Sequence, residues 1–341
     1  MTSGHILAIE SSCDETAAAV VGFGDGGINI KSNIIASQIE LHSLYGGVVP
    51  EIASRKHIEC VSQVAERSLT EASVTFADIS AVAVTYAPGL VGALLVGVSY
   101  GKSLAFALKK PLISVHHIEG HICANFISFP DLKPPFVCLV ASGGHSSVVL
   151  VKDYDKYEVM AVTTDDAPGE AFDKISRVLG LGYPGGPAMQ KAAENGRCDA
   201  FNFPRVQFND SMNFSFSGVK TAVINTVHQY SQSGEEIPVN DVAASFQLAV
   251  CEVLSQRLAA CARAVGAKKI ALAGGVASNS LLRKLCADEA NKCGFEFYCP
   301  QPVLCTDNAA MIGARACFDL KKGRFSSSDL NAAANKPLGD I

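Results

Sequence analysis

Two stretches of this chain repeat one pattern of apolar and polar positions. Residues 6–21, ILAIESSCDETAAAVV, read as an apolar run, a short turn rich in serine and acid, and a second apolar run. Residues 136–151, FVCLVASGGHSSVVLV, repeat it with Gly143-Gly144 at the turn. Each predicts a β-hairpin, and two hairpins so far apart point to an internally duplicated fold. After each hairpin, helix and strand patterns alternate. Apolar positions at helical spacing predict a helix over 50–72, while 79–89 reads as a buried strand running into a turn and 90–108 as a buried helix. PLISVHH reads as a strand and IEGHICANFIS as a short helix. In the last third come a helix over 240–266, the strand KKIALAGG, the helix ASNSLLRKLCADEANKCG, the strand FEFYCP and the closing helix TDNAAMIGARACFDLKKG. The class is α/β. Residues 162–240 break the rhythm with many Gly, Pro and polar positions. They read as an insertion that closes over a ligand, or as a helical embellishment.

Composition narrows the picture. A chain of 341 residues, 48% hydrophobic and 18% charged, is long enough for two domains with cores of their own. MTSGHILAIESS has no basic head before its apolar run, so neither a secretory signal nor a transit peptide is readable. The run GLVGALLVGVSYGK ends at Lys102, short of the ~20 residues that span a bilayer. The expectation is a soluble cytoplasmic protein with no membrane association. Twelve cysteines contain no Cys-x-x-Cys pair and many sit in apolar periodic segments, which favours buried reduced thiols over a zinc ribbon or disulfide scaffold. A net charge of −5 means that any nucleic-acid binding must come from local basic patches or from a partner.

The stretch HHIEGH, residues 116–121, concentrates three of the eight histidines. On a helix His117 and His121 lie one turn apart, Cβ atoms ~5–6 Å from each other, and can face one ion. His116 points elsewhere and reads as a hydrogen-bonded interior or surface histidine. The zincin pattern fails, because the general base must directly follow the first histidine and Ile118 stands there. A third ligand must come from elsewhere in the sequence; Asp307, in CTDNAAM, is a suitable oxygen donor, although from spacing alone its first reading is the N-cap of the helix it enters. GVSYGKS, residues 97–103, is one residue short of a phosphate-binding loop and lies in a helical run, so Gly92, Gly97 and Gly101 read as close-packing positions. KKIALAGGVASN ends a buried strand in two glycines before a helix, which suits an anion or is a plain turn. Glu10, Asp14, Asp165, Asp166, Glu170 and Asp173 lie in or beside turns, and spacing does not say which of them ligate, position or act as a base.

Taken together, AIESSCDET, GGVVPEIASRKH, HHIEGH, LVASGGHSSVVLV, DDAPGEAFDK, YPGGP, FSFSGVKT, LAGGVASN and CTDNAAMI stand in the order found in the TsaD family. These are tRNA N6-adenosine threonylcarbamoyltransferases, formerly described as O-sialoglycoprotein endopeptidases. The chain resembles the bacterial form over roughly residues 5–320. The resemblance implies an ASKHA fold, the duplicated architecture of actin, Hsp70-type ATPases and sugar kinases, with two lobes and a nucleotide cleft. The lobes are placed at 1–112, joined by a closing helix 311–341, and at 113–310, with the insertion 162–240 covering the ligand. It implies transfer from threonylcarbamoyl-AMP to N6 of the adenosine 3′ of the anticodon in tRNAs reading ANN codons.

Carried over by position, His117, His121 and Asp307 match the ligands of one Fe2+ or Zn2+. Val140, Ala141, Ser142, Gly143 and Gly144 match the adenylate loop, and Asp173, Gly186 and Asn279 match further substrate contacts. Glu10, Ser11 and Asp173 stand as candidates for catalytic groups. The implied partners are tRNA, a TsaB-like paralogue, a TsaE-like ATPase and a TsaC-type enzyme that supplies the adenylate. The competing expectations are an ASKHA-type ATPase or phosphotransferase holding Mg2+ on carboxylates, and a nucleotide-dependent scaffold.

Overall fold

In the computed structural model, which describes residues 3–24, 26–206, 208 and 211–339, each repeated pattern seeds a five-stranded sheet. The first begins with the antiparallel strands β1 (Gly4–Glu10), β2 (Glu15–Gly24) and β3 (Gly27–Ser37), followed by the short helix α1 (Ile39–Ser43) and α2 (Pro50–Ala72). Then come β4 (Ile79–Ala87), α3 (Val91–Leu108), β5 (Leu112–His116) and α4 (His117–Ser128). With β4 parallel to β1 and β5 parallel to β4, the order is β3-β2-β1-β4-β5.

The second sheet is built the same way. Strands β6 (Phe136–Ala141), β7 (Ser146–Asp153) and β8 (Lys156–Val162) precede α5 (Pro168–Val178), α6 (Gly185–Ala193), α7 (Ser217–Ser233) and α8 (Val239–Ala264). Next are β9 (Lys269–Ala273), α9 (Ser280–Cys293) and β10 (Glu296–Tyr298), with α10 (Pro302–Cys305) and α11 (Ala309–Lys322) closing the chain. The order β8-β7-β6-β9-β10, with β9 parallel to β6 and β10 to β9, repeats the first sheet strand for strand. The expected duplication is the fold found. Its central strands read as continuous apolar runs because both faces are covered: Ile6, Leu7 and Ala8 are fully buried, as are Val137, Cys138 and Leu139.

Several boundaries differ from those read in the sequence. The chain divides into two compact units, Met1–Lys133 with Tyr154–Lys156 and Pro300–Ile341, and Pro134–Asp153 with Tyr157–Cys299. A lobe boundary at 112/113 cuts β5, which belongs to the first sheet because it pairs with β4, and α4 follows it there to pack against α11. The closing helix ends at Lys322, where Gly323 takes the left-handed conformation (φ 67°) and Arg324 N–H returns to Asp319 O. Beyond it, Ser326 bridges Leu112 at the open edge of β5, so this segment covers a strand that would otherwise present unpaired groups. Strands β3 and β8 escape prediction because they are edge strands whose polar positions interrupt any apolar run. The insertion is helical, carrying α5, α6 and α7; its residues Gln207, Asn209 and Asp210, and residues 340–341 of the predicted closing helix, lie outside the described residues.

Helix α3 is the one helix among the described residues long and apolar enough to span a membrane by length and composition. Its glycines press it onto the first sheet. A Cβ on Gly101 would stand 2.1 Å from Val84 Cγ1, and one on Gly97 2.4 Å from Ser11 Oγ, so α3 lies directly on the first sheet. All twelve cysteines are free thiols, seven of them buried, as composition implied.

Candidate metal centre

The end of β5 and the start of α4 deliver two imidazoles. His116 closes β5, His117 opens α4, and His121 follows one turn later, its ring centroid 4.6 Å from that of His117 with the planes at 81°. His116 stays apart, its Nε2 3.0 Å from Lys336 O. Between the two ligand positions stands Gly120, where a Cβ would meet Ile312 Cδ1 at 2.7 Å; only glycine lets α11 press this closely on α4. Asp307 lies two residues before α11. The cap of α11 is Asn308, whose Oδ1 accepts Met311 N–H at 3.0 Å, so the capping role open to Asp307 falls to its neighbour and the Asp307 carboxylate turns to the histidines.

Three potential ligand atoms converge. His117 Nε2 lies 3.1 Å from His121 Nε2, and Asp307 Oδ1 lies 3.5 Å from the first and 3.2 Å from the second. Bonds of ~2.0–2.1 Å to one ion at tetrahedral angles put ligand atoms ~3.3–3.4 Å apart, so these separations fit a single cation. The donor set also fits: two imidazole nitrogens and one carboxylate suit a transition metal better than Mg2+, which prefers oxygen alone. His117, His121 and Asp307 thus form a group able to hold a metal ion.

Behind His117 stands a second layer. Its Nδ1 lies 3.0 Å from Glu10 Oε2 and 3.1 Å from Ser12 Oγ. Glu10 is fully buried, and its remaining capacity is taken by Ser12 N–H at 2.6 Å on Oε1 and Thr85 Oγ1 at 2.7 Å on Oε2. A carboxylate on Nδ1–H fixes the tautomer and aims the Nε2 lone pair at the ion position. Burial disfavours both charges, yet the pair prevails: Glu10 and Asp307 push His117 up to about 9, and His117 holds Glu10 below the ordinary carboxylate value. Burial and the neighbouring His117 keep His121 below the usual imidazole value. An entering cation therefore displaces a proton from His117.

This arrangement places the first-unit candidates. Glu10 is a partner of His117, with both oxygens occupied. Ser11 Oγ donates to Ala93 O at 2.9 Å and is buried, which ties the hydroxyl to α3. Ser12 and Thr85 were not read from the sequence, although a lone threonine in the apolar strand AVAVTYA was a visible signal for Thr85.

The second unit gathers the other candidates around β6 and the helices after β8. Val140 and Ala141 are core residues of β6, so a ligand could meet them only through main chain. Ser142 N–H donates to His145 O at 2.9 Å and closes a turn whose tip, Gly143 and Gly144, is exposed with space around both. Gly169 backs this turn: a Cβ there would lie 2.7 Å from Gly143 Cα. Gly274, at φ 87°, lies as close to Ala141 O, where a Cβ would stand 2.4 Å away. Asp173 Oδ1 accepts Gly185 N–H at 2.7 Å, next to Gly186, whose surroundings are open. Asn279 caps α9 through Leu282 N–H at 3.0 Å and donates to Gln247 Oε1 at 2.9 Å. Three further acids have structural partners. Asp165 accepts Phe216 N–H at the start of α7, Asp166 pairs with Lys174 and Lys220, and Glu170 pairs with Lys174.

Comparison with known proteins shows the family of this chain. A protein from Clostridium perfringens (strain SM101 / Type A), described as a tRNA N6-adenosine threonylcarbamoyltransferase, is 58% identical over 341 residues, covering all of both chains. One of the same description from Clostridium botulinum (strain Kyoto / Type A2) is 57% identical over 337 residues, 98% of each chain. Among solved structures, HypF from T. kodakarensis is similar with a TM-score of 0.64 at 15% identity over 96% of this chain, and full-length HypF in its phosphate- and nucleotide-bound form with 0.62 at 15% over 95%. This chain spans about half the length of either HypF, 49% and 47%, and the likeness concerns the fold, which is of the ASKHA type. The family model for TsaD, tRNA N6-adenosine threonylcarbamoyltransferase, matches residues 29–314. With the whole chain aligned to relatives of that description, it belongs to the TsaD family of tRNA-modifying transferases.

Proposed function

We propose that this chain transfers the threonylcarbamoyl group from threonylcarbamoyl-AMP to N6 of the adenosine 3′ of the anticodon, in tRNAs reading ANN codons, with help from one Fe2+ or Zn2+ ion. The single observation that carries the metal-assisted part is the convergence of His117 Nε2, His121 Nε2 and Asp307 Oδ1, with Glu10 behind His117. When bound there, the ion supplies a Lewis acid with open positions for donor oxygens.

The reaction forms an N6–C bond and breaks the bond between the carbamoyl carbon and a phosphate oxygen of AMP, which leaves with the electron pair. The N6 lone pair is delocalised into the purine, so orientation must supply much of the acceleration. Once N6 has attacked it is strongly acidic, and its proton needs no dedicated base. Glu10, saturated by three donors, orients His117 and takes no proton from substrate. In this reading Val140 to Gly144, Asp173, Gly186 and Asn279 are the adenylate contacts, through the exposed main chain of Gly143 and Gly144 above all. The helices of residues 162–240 cover the donor.

The partners are proposed on chemistry. A chain of net charge −5 gains tRNA affinity from others. Ile58, Val91, Leu95 and Phe106 are exposed on α2 and α3, a surface suited to a TsaB-like paralogue. A TsaE-like ATPase and a TsaC-type donor synthase complete a cytoplasmic system.

Incubation of the purified chain with preformed threonylcarbamoyl-AMP and tRNA, with and without partners, followed by nucleoside chromatography, tests the reading. Modified adenosine is expected with wild type and not with His117→Ala. Equal product from both would sink it.

A further inference from the structure

Glu10 ends β1 and Ser12 lies in the turn that follows it; these are the two residues on His117 Nδ1. Three elements hold the main chain of this turn in register. Leu90 N–H, just before α3, donates to Ser12 O at 2.8 Å, and Gln38 N–H, after β3, donates to Asp14 O at 3.1 Å. Between them the Cys13 carbonyl lies 3.0 Å from a side chain, His57 Nε2, reaching across from α2. A carbonyl only accepts, so Nε2 carries the proton. Nδ1 is then an acceptor, and Thr16 Oγ1 donates to it at 2.7 Å. His57 and Thr16 are both fully buried, and burial holds the imidazole below its usual value, in keeping with a neutral ring.

From this we infer that His57 is a positioning residue for the metal centre: by holding the Cys13 carbonyl it sets where Glu10 and Ser12 meet His117. The inference rests on the proposed metal centre and goes beyond its ligands. The bland alternative is a core histidine with satisfied hydrogen bonds that contributes to stability and nothing else. The distinction lies in which carbonyl the ring holds. A fold can be stabilised by any buried pair, but this pair holds the carbonyl of Cys13, the residue directly after Ser12 in the four-residue turn that follows Glu10, and Glu10 and Ser12 both contact His117. Shifts well below 1 Å at such supports are felt by the ligand they orient.

Two amide variants separate the roles, because asparagine reproduces the position of Nδ1 and glutamine that of Nε2. His57→Gln keeps the donor to Cys13 O; His57→Asn keeps the acceptor for Thr16 and lets the carbonyl go. The probe is Co2+, whose visible bands report ligand geometry, titrated into each metal-free protein against a competing chelator, with thermal melts as a check on folding. His57→Asn is expected to bind Co2+ about 10-fold more weakly with altered bands, the size typical of a lost supporting contact, and His57→Gln within about threefold of wild type. Wild-type affinity and bands in His57→Asn would overturn the inference. Should that variant fail to fold, Thr16→Val, which only removes the bond orienting the ring, decides: altered Co2+ bands support the inference and unchanged ones overturn it. A wild-type protein that takes up no Co2+ overturns the metal centre itself, an outcome distinct from the failure of His57.

Discussion

Glu10→Gln isolates what the buried carboxylate does for His117. Glutamine has the same shape, but its NH2 must face either Ser12 N–H or the pair His117 Nδ1–H and Thr85 Oγ1–H, donors in every case. Loss of such a partner weakens metal binding by about 10–100-fold, or about 1.4–2.7 kcal/mol. The carboxylate also favours a competitor. With His117 pushed up to about 9, its proton is held below that pH and must leave before the ion enters. At pH 7 this proton lowers wild-type affinity by roughly 100-fold, about 2.7 kcal/mol. Because the folded value is raised, the proton is bound on the acid side and lost as pH rises through about 9, so wild-type affinity climbs toward that pH and then levels. In Glu10→Gln the climb moves to lower pH. The two proteins should differ most near pH 9 and converge toward neutrality. Zn2+ affinity measured by chelator competition between pH 6.5 and 9.5, with circular dichroism to confirm folding, gives both curves. Parallel curves, or coincident ones, would refute the role assigned to Glu10.

Other sites give simpler expectations. Gly101→Ala places a methyl 2.1 Å from Val84 Cγ1 and should cost about 1–3 kcal/mol in urea unfolding. Asn279→Ala removes the cap of α9 and the bond to Gln247, so a loss of about 1–2 kcal/mol of stability should accompany any change in donor binding, measured by calorimetry. Asp155 is held below the ordinary carboxylate value, burial notwithstanding, by Lys322 at 2.7 Å and Arg324 at 2.6 Å. Its contribution is present above the unfolded value and disappears as pH falls through the lower folded one. Asp155→Asn should therefore lower stability by about 1.5–3 kcal/mol at pH 7, with the gap to wild type closing in strong acid.

What could be read beforehand follows from where side chains lie. Strands β1, β4, β6 and β9 are covered on both faces, so their apolar runs are unbroken and the duplication shows in the sequence. Strands β3 and β8 have wet positions and left no such trace. The histidine pair was legible because two imidazoles one helical turn apart leave a spacing. Asp307 was not separable from a cap, since the helix start offers two adjacent candidates, Asp307 and Asn308, and only the backbone decides between them. Glu10 was visible as an acid in a turn, but its role depends on β1 and β5 ending at the same edge of one sheet, 107 positions apart in the chain. Asp165 and Asp166 looked equally chemical, yet they are spent on α7, Lys174 and Lys220. His57 closed the motif GGVVPEIASRKH without any hint that its partner is a carbonyl of the metal-side turn.

X-ray absorption at the iron and zinc edges of the purified protein tests the metal centre most directly. One ion per chain, with two imidazoles at ~2.0–2.1 Å, an oxygen-only remainder and no sulfur, is the result this geometry predicts. Sulfur neighbours drawn from the twelve cysteines, or a two-imidazole signal that persists undiminished in His117→Ala, would contradict it.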